Sequence, residues 1–370
     1  MRSILSVLAL AAGIAACAGG SAGAAGAAAP QASPAAGAAT MPAVPLLYVA
    51  NQEAATVSII DPAADSLIAT VDLRQLGFTE KSKPHDTAVE PDGSHWYVTL
   101  IGENLVVKLD RQNRVVGRAQ METPGLLSLD PAGGRLWVTR SMSAVNAPSR
   151  VAMIDRATMD LEEIEVFVPR PHGVAVGPGG EYVYVGGMEG NQLAIIEAAT
   201  GEVSLTPLPP GVEPMVTDFA VSPDGSRIVM TDHMGDQAIV FDATSPKRLR
   251  AIATVPVGAW PWDVHYTPDG REVWFGNQRA NTVTVLDAET WEVAGVIEGR
   301  GLAMPSGIAI SPDGREVYVS NQNLQGTYTP ETPRARGTGT VVVIDRATRE
   351  IRKIIETDRQ SAGMSLTGRP

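Results

Sequence analysis

The sequence predicts an all-β fold, a seven-bladed β-propeller closed by its C-terminal strand, on three observations. A turn tripeptide recurs at Pro91-Asp92-Gly93, Pro131-Ala132-Gly133, Pro178-Gly179-Gly180, Pro223-Asp224-Gly225, Pro268-Asp269-Gly270 and Pro312-Asp313-Gly314, at intervals of 40, 47, 45, 45 and 44 residues. Each is followed by a β-rich run with an aromatic at one fixed place, Tyr97, Trp137, Tyr184, Trp274 or Tyr318. Val229 is the exception, and Tyr48 holds this place in the first copy. A second apolar run then ends in an acid: Asp61, Asp110, Asp155, Glu197, Asp242, Asp287 and Asp345, which mark seven units. Short strands between Pro/Gly turns at this period describe a propeller blade, whose radial stacking leaves no long sheet edge exposed.

Taken in chain order, residues 1–16 form a signal peptide. Arg2 supplies the positive start, and the apolar run over residues 4–16 is 13 long, too short to span about 30 Å of hydrocarbon as a helix. The run ends Ile14-Ala15-Ala16-Cys17, with the sole cysteine of the chain in last place. This resembles the bacterial lipobox, which implies that Cys17 is lipidated and that the membrane is a partner through the lipid anchor. Ala18 after the cysteine implies, by the same resemblance, sorting to the outer membrane, facing the periplasm or the surface. One cysteine also excludes an intrachain disulfide, a Cys-based zinc cluster and a thiol redox pair. Residues 17–44 comprise this cysteine and a segment dominated by Ala, Gly, Ser and Pro, with no charge between Arg2 and Glu53. Such a composition builds no core and reads as a disordered tether.

Residues 45–370 are the propeller. The six tripeptides open copies two to seven, so the first copy lacks an innermost strand. The tail supplies it, because Ser361-Ala362-Gly363-Met364-Ser365-Leu366 aligns with Pro305-Ser306-Gly307-Ile308-Ala309-Ile310. Strand order puts the Pro-Asp-Gly turns and the seven closing acids on one face, here called the bottom. There an aspartate accepts backbone N–H groups and glycine supplies positive φ, so these acids are turn-formers. The aromatic column is inter-blade packing.

Tyr48-Val49-Ala50-Asn51, Tyr97-Val98-Thr99, Tyr318-Val319-Ser320-Asn321 and the Thr-Val-Thr-Val-Leu-Asp of 282–287 resemble the YVTN repeat of bacterial seven-bladed propellers. The likeness covers residues 46–366 and rests on residues that build blades, so it speaks for fold and hardly for activity. Families of this shape include cell-envelope proteins, a lactonase-like group, an antibiotic-opening lyase and the heavy chain of methylamine dehydrogenase, and the resemblance does not choose among them.

Residues outside the repeat pattern gather on the opposite, top face. The first ring position of the inner strands reads Ala362, His85, Gly125, His172, Thr217, Trp262 and Ser306, and the next reads Gly363, Asp86, Leu126, Gly173, Asp218, Asp263 and Gly307. The second strands end in Asn51, Leu100, Arg140, Gly187, Asp232, Asn277 and Asn321, with His233 one residue on. His85 and His172 share a register in blades two and four, with Gly125 leaving space between them. With Asp86, Asp218 or Asp263 nearby they make a candidate nitrogen/oxygen site for a transition metal (zinc, copper or iron), or a general base with an electrophilic partner. Arg140, His233 and Trp262 are further ligand candidates at the channel mouth. His265 lies near this ring. Pro261 separates Trp260 and Trp262, one suited to the core and the other to stacking. Insertions at 141–149 and 322–340, the latter with Tyr328, Pro330, Pro333, Arg334 and Arg336, belong to the same side, where long loops commonly carry recognition.

A formal charge of −12 and a pI near 4.9 have the wrong sign for gripping phosphate backbones, so no nucleic-acid partner is expected. No nucleophile elbow, phosphate-binding glycine loop, His-Glu-x-x-His helix or Cys-x-x-Cys-His is present. Three readings stay open. The first is a lipid-anchored envelope scaffold binding a protein, glycan or small ligand through its top face. The second is a lyase, lactonase-like hydrolase or oxidoreductase partner using His and Asp at the mouth, and the third is a metal carrier without turnover.

Overall fold

The computed structural model describes residues 45–212, 215–331 and 337–368. The signal peptide over 1–16, Cys17 and the tether over 17–44 lie outside the described residues, as do Pro333, Arg334 and Arg336.

Seven four-stranded antiparallel sheets form the seven blades. In blades two to seven the strands follow chain order, and their inner strands are Pro84–Val89, Pro124–Leu129, Pro171–Val176, Val216–Val221, Pro261–Tyr266 and Pro305–Ile310. Blade one takes Ser361–Leu366 as its inner strand, beside Leu47–Asn51, Thr56–Asp61 and Ser66–Asp72. The closing register pairs Leu47 with Leu366, Tyr48 with Ser365 and Val49 with Met364. Side chains reinforce it, since Thr367 Oγ1 accepts the Leu46 N–H at 2.6 Å and Ser361 Oγ donates to Asn51 Oδ1 at 3.0 Å. Each inner strand packs beside the next, and that of blade seven returns to that of blade one. The ring is therefore shut by pairing the two ends of the chain within one blade.

One apolar seam forms at each blade junction, because the strands alternate inward and outward and both faces of every blade are covered. The seam between blades one and two holds Tyr48, Trp96, Val98 and Leu109; that between three and four holds Trp137, Val151, Val183 and Val185. Tyr48, Tyr97, Trp137 and Tyr318 are at most 1 % exposed, as packing between blades requires. Burying rings of this size stabilises each seam by about 2 to 3 kcal/mol per side chain.

The bottom turns follow their chemistry. Asp92, Asp224, Asp269 and Asp313 each accept the backbone N–H two residues on, at 2.8 to 3.1 Å, and Gly93, Gly225, Gly270 and Gly314 take φ between +67° and +73°. Closing acids act alike, as when Asp61 accepts from Ala63 and Asp287 from Glu289, both at 2.9 Å. Pro131-Ala132-Gly133 lacks the aspartate, and Asp130 substitutes by accepting the Ala132 and Gly133 N–H groups at 2.9 and 3.0 Å.

Candidate functional site

Two backbone devices, neither visible in the repeat, aim side chains at the top of the axis. Every inner strand carries a bulge at its beginning, where the register shifts: between Pro84 and Thr87, Pro171 and Gly173, or Pro261 and Asp263, for instance. The extra residue is re-aimed by the bulge, and His85, His172 and Trp262 occupy it. Ahead of the inner strand, Lys83, Thr123, Arg170, Trp260, Met304 and Gln360 hold positive φ, from 42° to 64°. Five of these six precede proline, which already disfavours the right-handed helical region at that residue.

These devices bring His85, His172, Trp262 and His233 together with Trp260. The His85 and His172 rings meet edge to face at a centroid distance of 6.2 Å, and His172 meets Trp262 at 5.6 Å. Trp262 meets His233 at 5.4 Å, His233 stacks on Trp260 at 5.2 Å, and the Arg279 guanidinium lies 5.6 Å from the Trp260 ring centre. Trp262 is core and Trp260 is half-exposed, so the two tryptophans divide the roles of packing and stacking. His85 and His172 are 6 % and 0 % exposed, so they plug the top of the axis.

Hydrogen bonds fix the tautomers in part. His172 Nδ1 donates to the Thr217 carbonyl at 2.8 Å and His233 Nδ1 to the Pro261 carbonyl at 3.3 Å, each reaching the next blade. A carbonyl only accepts, so Nε2 of a neutral His172 is left with its lone pair. Neither nitrogen of His85, nor Nε2 of His172, has a partner among the described residues. Burial pushes the His85 imidazole down to about 3, helped by His172, and pushes His172 down to about 4 against the opposing effect of the Thr217 carbonyl. Both are neutral at physiological pH.

The three aspartates stand one step further down the axis and clamp neighbouring blades. Asp86 accepts the Leu127 N–H at 2.9 Å, Asp218 the Val264 N–H at 3.3 Å and Asp263 the Ile308 N–H at 2.5 Å, each reaching into the following blade. Burial raises the Asp86 carboxyl to about 7, and burial with the adjacent Asp263 raises Asp218 well above the carboxylate range. His265 Nε2 sits 3.5 Å from Asp263 Oδ1, and Asp218, Asp263 and His265 could jointly face one cation. Below them a cavity of about 560 Å³, lined by Asp86, Asp218, Asp263 and His265, extends to the prolines of the bottom turns, and neither His85 nor His172 lines it.

Two expectations change on this geometry. Arg140 does not join the cluster: its guanidinium donates to Glu163 at 2.5 Å and to the Arg150 carbonyl at 3.0 Å, both in its own blade. Gly125 does not leave a void beside the histidines. A Cβ there would lie 2.6 Å from the backbone of Arg140, so the glycine serves close strand approach. In the blade-seven insertion Tyr328 is buried, its hydroxyl donating to Glu356 at 3.0 Å. The sequence reading missed the carboxylate clamps and the Asp218, Asp263 and His265 grouping, because bonds between blades leave no spacing signal along the chain.

Residues 200–294, from the last turn of blade four through blade six, match a family model described as "Lactonase, 7-bladed beta-propeller". No curated protein matches the chain. Among solved structures, a functionally unknown protein from Desulfotomaculum acetoxidans DSM 771 is similar at 14 % identity, with TM-score 0.70 over 87 % of this chain and 98 % of that one. A 6-phosphogluconolactonase-like protein from Bacteroides fragilis NCTC 9343 is similar at 15 % identity, with TM-score 0.64 over 87 % and 98 %. Hydrazine synthase from Kuenenia stuttgartiensis is similar at 20 % identity, with TM-score 0.58 over 71 % and 77 %. Likeness at these identities concerns the fold.

Proposed function

We propose that this chain is a lipid-anchored binding module of the cell envelope that presents the top face of its propeller to an envelope protein. One observation carries the reading. Among the described residues, the large apolar side chains exposed outside the outermost strands are Met142, Val145, Phe167, Met234 and Leu324, and all five stand on top-side connections. Exposed apolar groups gathered on one face of an otherwise well-packed domain mark an interaction surface. Four of the five are aliphatic or thioether side chains, which suit a protein partner better than a glycan, which asks for hydrogen bonds and flat aromatic platforms. Cys17 and the uncharged segment to residue 44, rich in Ala, Gly, Ser and Pro, support an anchor with a spacer. Outer-membrane placement rests on Ala18.

The carboxylates on the axis favour binding over turnover, because each aspartate already accepts backbone N–H groups that would be stranded if it moved. A channel enzyme or metal site is the second reading, favoured by the approach of Asp218, Asp263 and His265. Membrane fractionation and site-specific crosslinking test the proposal. Cys17→Ser should move the protein to the soluble fraction. A crosslinker at position 145 or 234 should trap a discrete envelope partner that one at Asp313, in a bottom turn, does not. Retention on the membrane would refute the anchor, and equal trapping from both faces would refute the docking face.

A further inference from the structure

The cavity on the axis, about 560 Å³ in volume, opens toward one face only. His85, His172 and Trp262 are buried across its top. Six turn prolines line it at the bottom, among them Pro131, Pro223 and Pro312, and all six are exposed. A ligand would therefore enter from the face opposite the docking surface. The two sides of the cavity differ in chemistry. Leu126, Leu127 and Leu129 of blade three are half-buried and line one wall. The inner strand of blade six brings Asp263 and His265 to another, beside Asp218 of blade five. Blades three and six are three places apart, the widest separation a ring of seven allows, so the leucines stand across the axis from Asp263 and His265. A concave space of this size with an apolar wall and a few convergent polar groups is built as organic-ligand sites are built.

The polar wall selects the charge of that ligand. A carboxylate oxygen from each of Asp218 and Asp263 and a ring nitrogen of His265 all lie within 4.8 Å of one another, with His265 Nε2 3.5 Å from Asp263 Oδ1. The Val264 and Ile308 N–H groups hold the two carboxylates in this approach, against the repulsion of like charges. Burial and the nearness of Asp263 push the Asp218 carboxyl up, the response of an acid that faces another acid in place of a cation. Among the described residues that line the cavity, the one Lys or Arg is Arg156, which stands at the bottom with Glu90 at 2.7 Å. The upper end thus offers acceptors and negative charge with no basic side chain of its own. A primary ammonium supplies three N–H donors and the missing positive charge. A hydrated metal ion would meet the same acceptors but would set its water against the leucine wall. We infer that the axial cavity binds a small organic cation, a primary ammonium on an apolar body, with the ammonium among Asp218, Asp263 and His265 and the body against Leu127 and Leu129. This inference goes beyond the docking proposal and does not depend on it.

The test titrates the full-length chain by calorimetry with hexylamine, hexan-1-ol, hexanoate and, separately, Zn(II). Hexylamine is expected to bind one to one, hexan-1-ol about tenfold or more weakly, and hexanoate not at all. From butylamine through pentylamine to hexylamine each added methylene should tighten binding about fourfold, the equivalent of about 0.8 kcal/mol per buried methylene. Asp263→Asn should weaken hexylamine about tenfold or more, with far-UV circular dichroism unchanged. The inference is overturned by the absence of saturable amine binding, by equal binding of amine and alcohol, by an affinity indifferent to chain length, or by full affinity in Asp263→Asn. Zn(II) binding that hexylamine does not displace also overturns it and assigns the acids to a metal. Should Asp263→Asn fail to fold, the wild-type comparison of amine with alcohol and of chain lengths decides alone. Crosslinking from positions 145 and 234 reads the opposite face and keeps the docking result separate.

Discussion

Protonating the imidazole plug should cost folding free energy, and the amount follows from its burial. His85 and His172 titrate near 6.5 when exposed and are held down to about 3 and about 4 in the fold. The unfolded chain therefore binds two more protons than the native one through the interval between these values. Stability from this pair is complete above about pH 6.5 and is lost as pH falls toward the native values. At about 1.4 kcal/mol per pH unit, moving from pH 8 to pH 5 costs about 2 kcal/mol for each ring and about 4 kcal/mol for the pair. Asp86 works in the opposite sense, which makes a variant comparison cleaner than the wild-type curve alone. Urea denaturation in chelator buffer, run from pH 5 to 8 on wild type and on His85→Gln/His172→Gln, reads the difference. The double variant should lose about 4 kcal/mol less than wild type on acidification. Parallel curves for the two proteins would show that the imidazoles are not held neutral, and the reasoning would fail.

Three further outcomes follow. Asp86, raised from 3.8 to about 7, gives stability that is complete below about pH 4 and lost as pH rises through 7. The destabilisation caused by Asp86→Asn should therefore shrink by about 4 kcal/mol between pH 4 and pH 8, as read by urea denaturation extended down to pH 4. A Cβ at Gly363 would stand 2.2 Å from Asp86 Oδ1, whereas one at Gly134 meets nothing within 4 Å. Gly363→Ala should then lower stability by about 1 to 3 kcal/mol while Gly134→Ala leaves it nearly unchanged, and equal melting temperatures would contradict the clamp. Deleting residues 361–370 removes the inner strand of blade one and should abolish the cooperative thermal transition, a result that an unchanged melting temperature would refute.

How far the sequence could be read depends on which interactions are local. Asp92 and Gly93 act on backbone two residues away, and Tyr97 repeats at a fixed distance from its turn, so blade number and closure were legible. The partner of Asp86 is Leu127, 41 residues on and in another blade, and nothing along the chain marks that bond. His85 and His172 were legible as equivalents because the repeat gives both one register. Their contact, and the plugging of the axis above the cavity, depends on bulges that the residue types do not announce. Arg140 shows the converse. Its ring position was correct, yet the side chain turns into its own blade toward Glu163.

The closing pairing of Leu47–Asn51 with Ser361–Leu366 also makes the molecule audit its own synthesis. A chain released before residue 361 leaves the Leu47–Asn51 strand with a bare backbone edge, the kind of surface that chaperones and proteases engage. Only a product carrying that final strand hides the edge, so truncated copies identify themselves for disposal before they can occupy a partner.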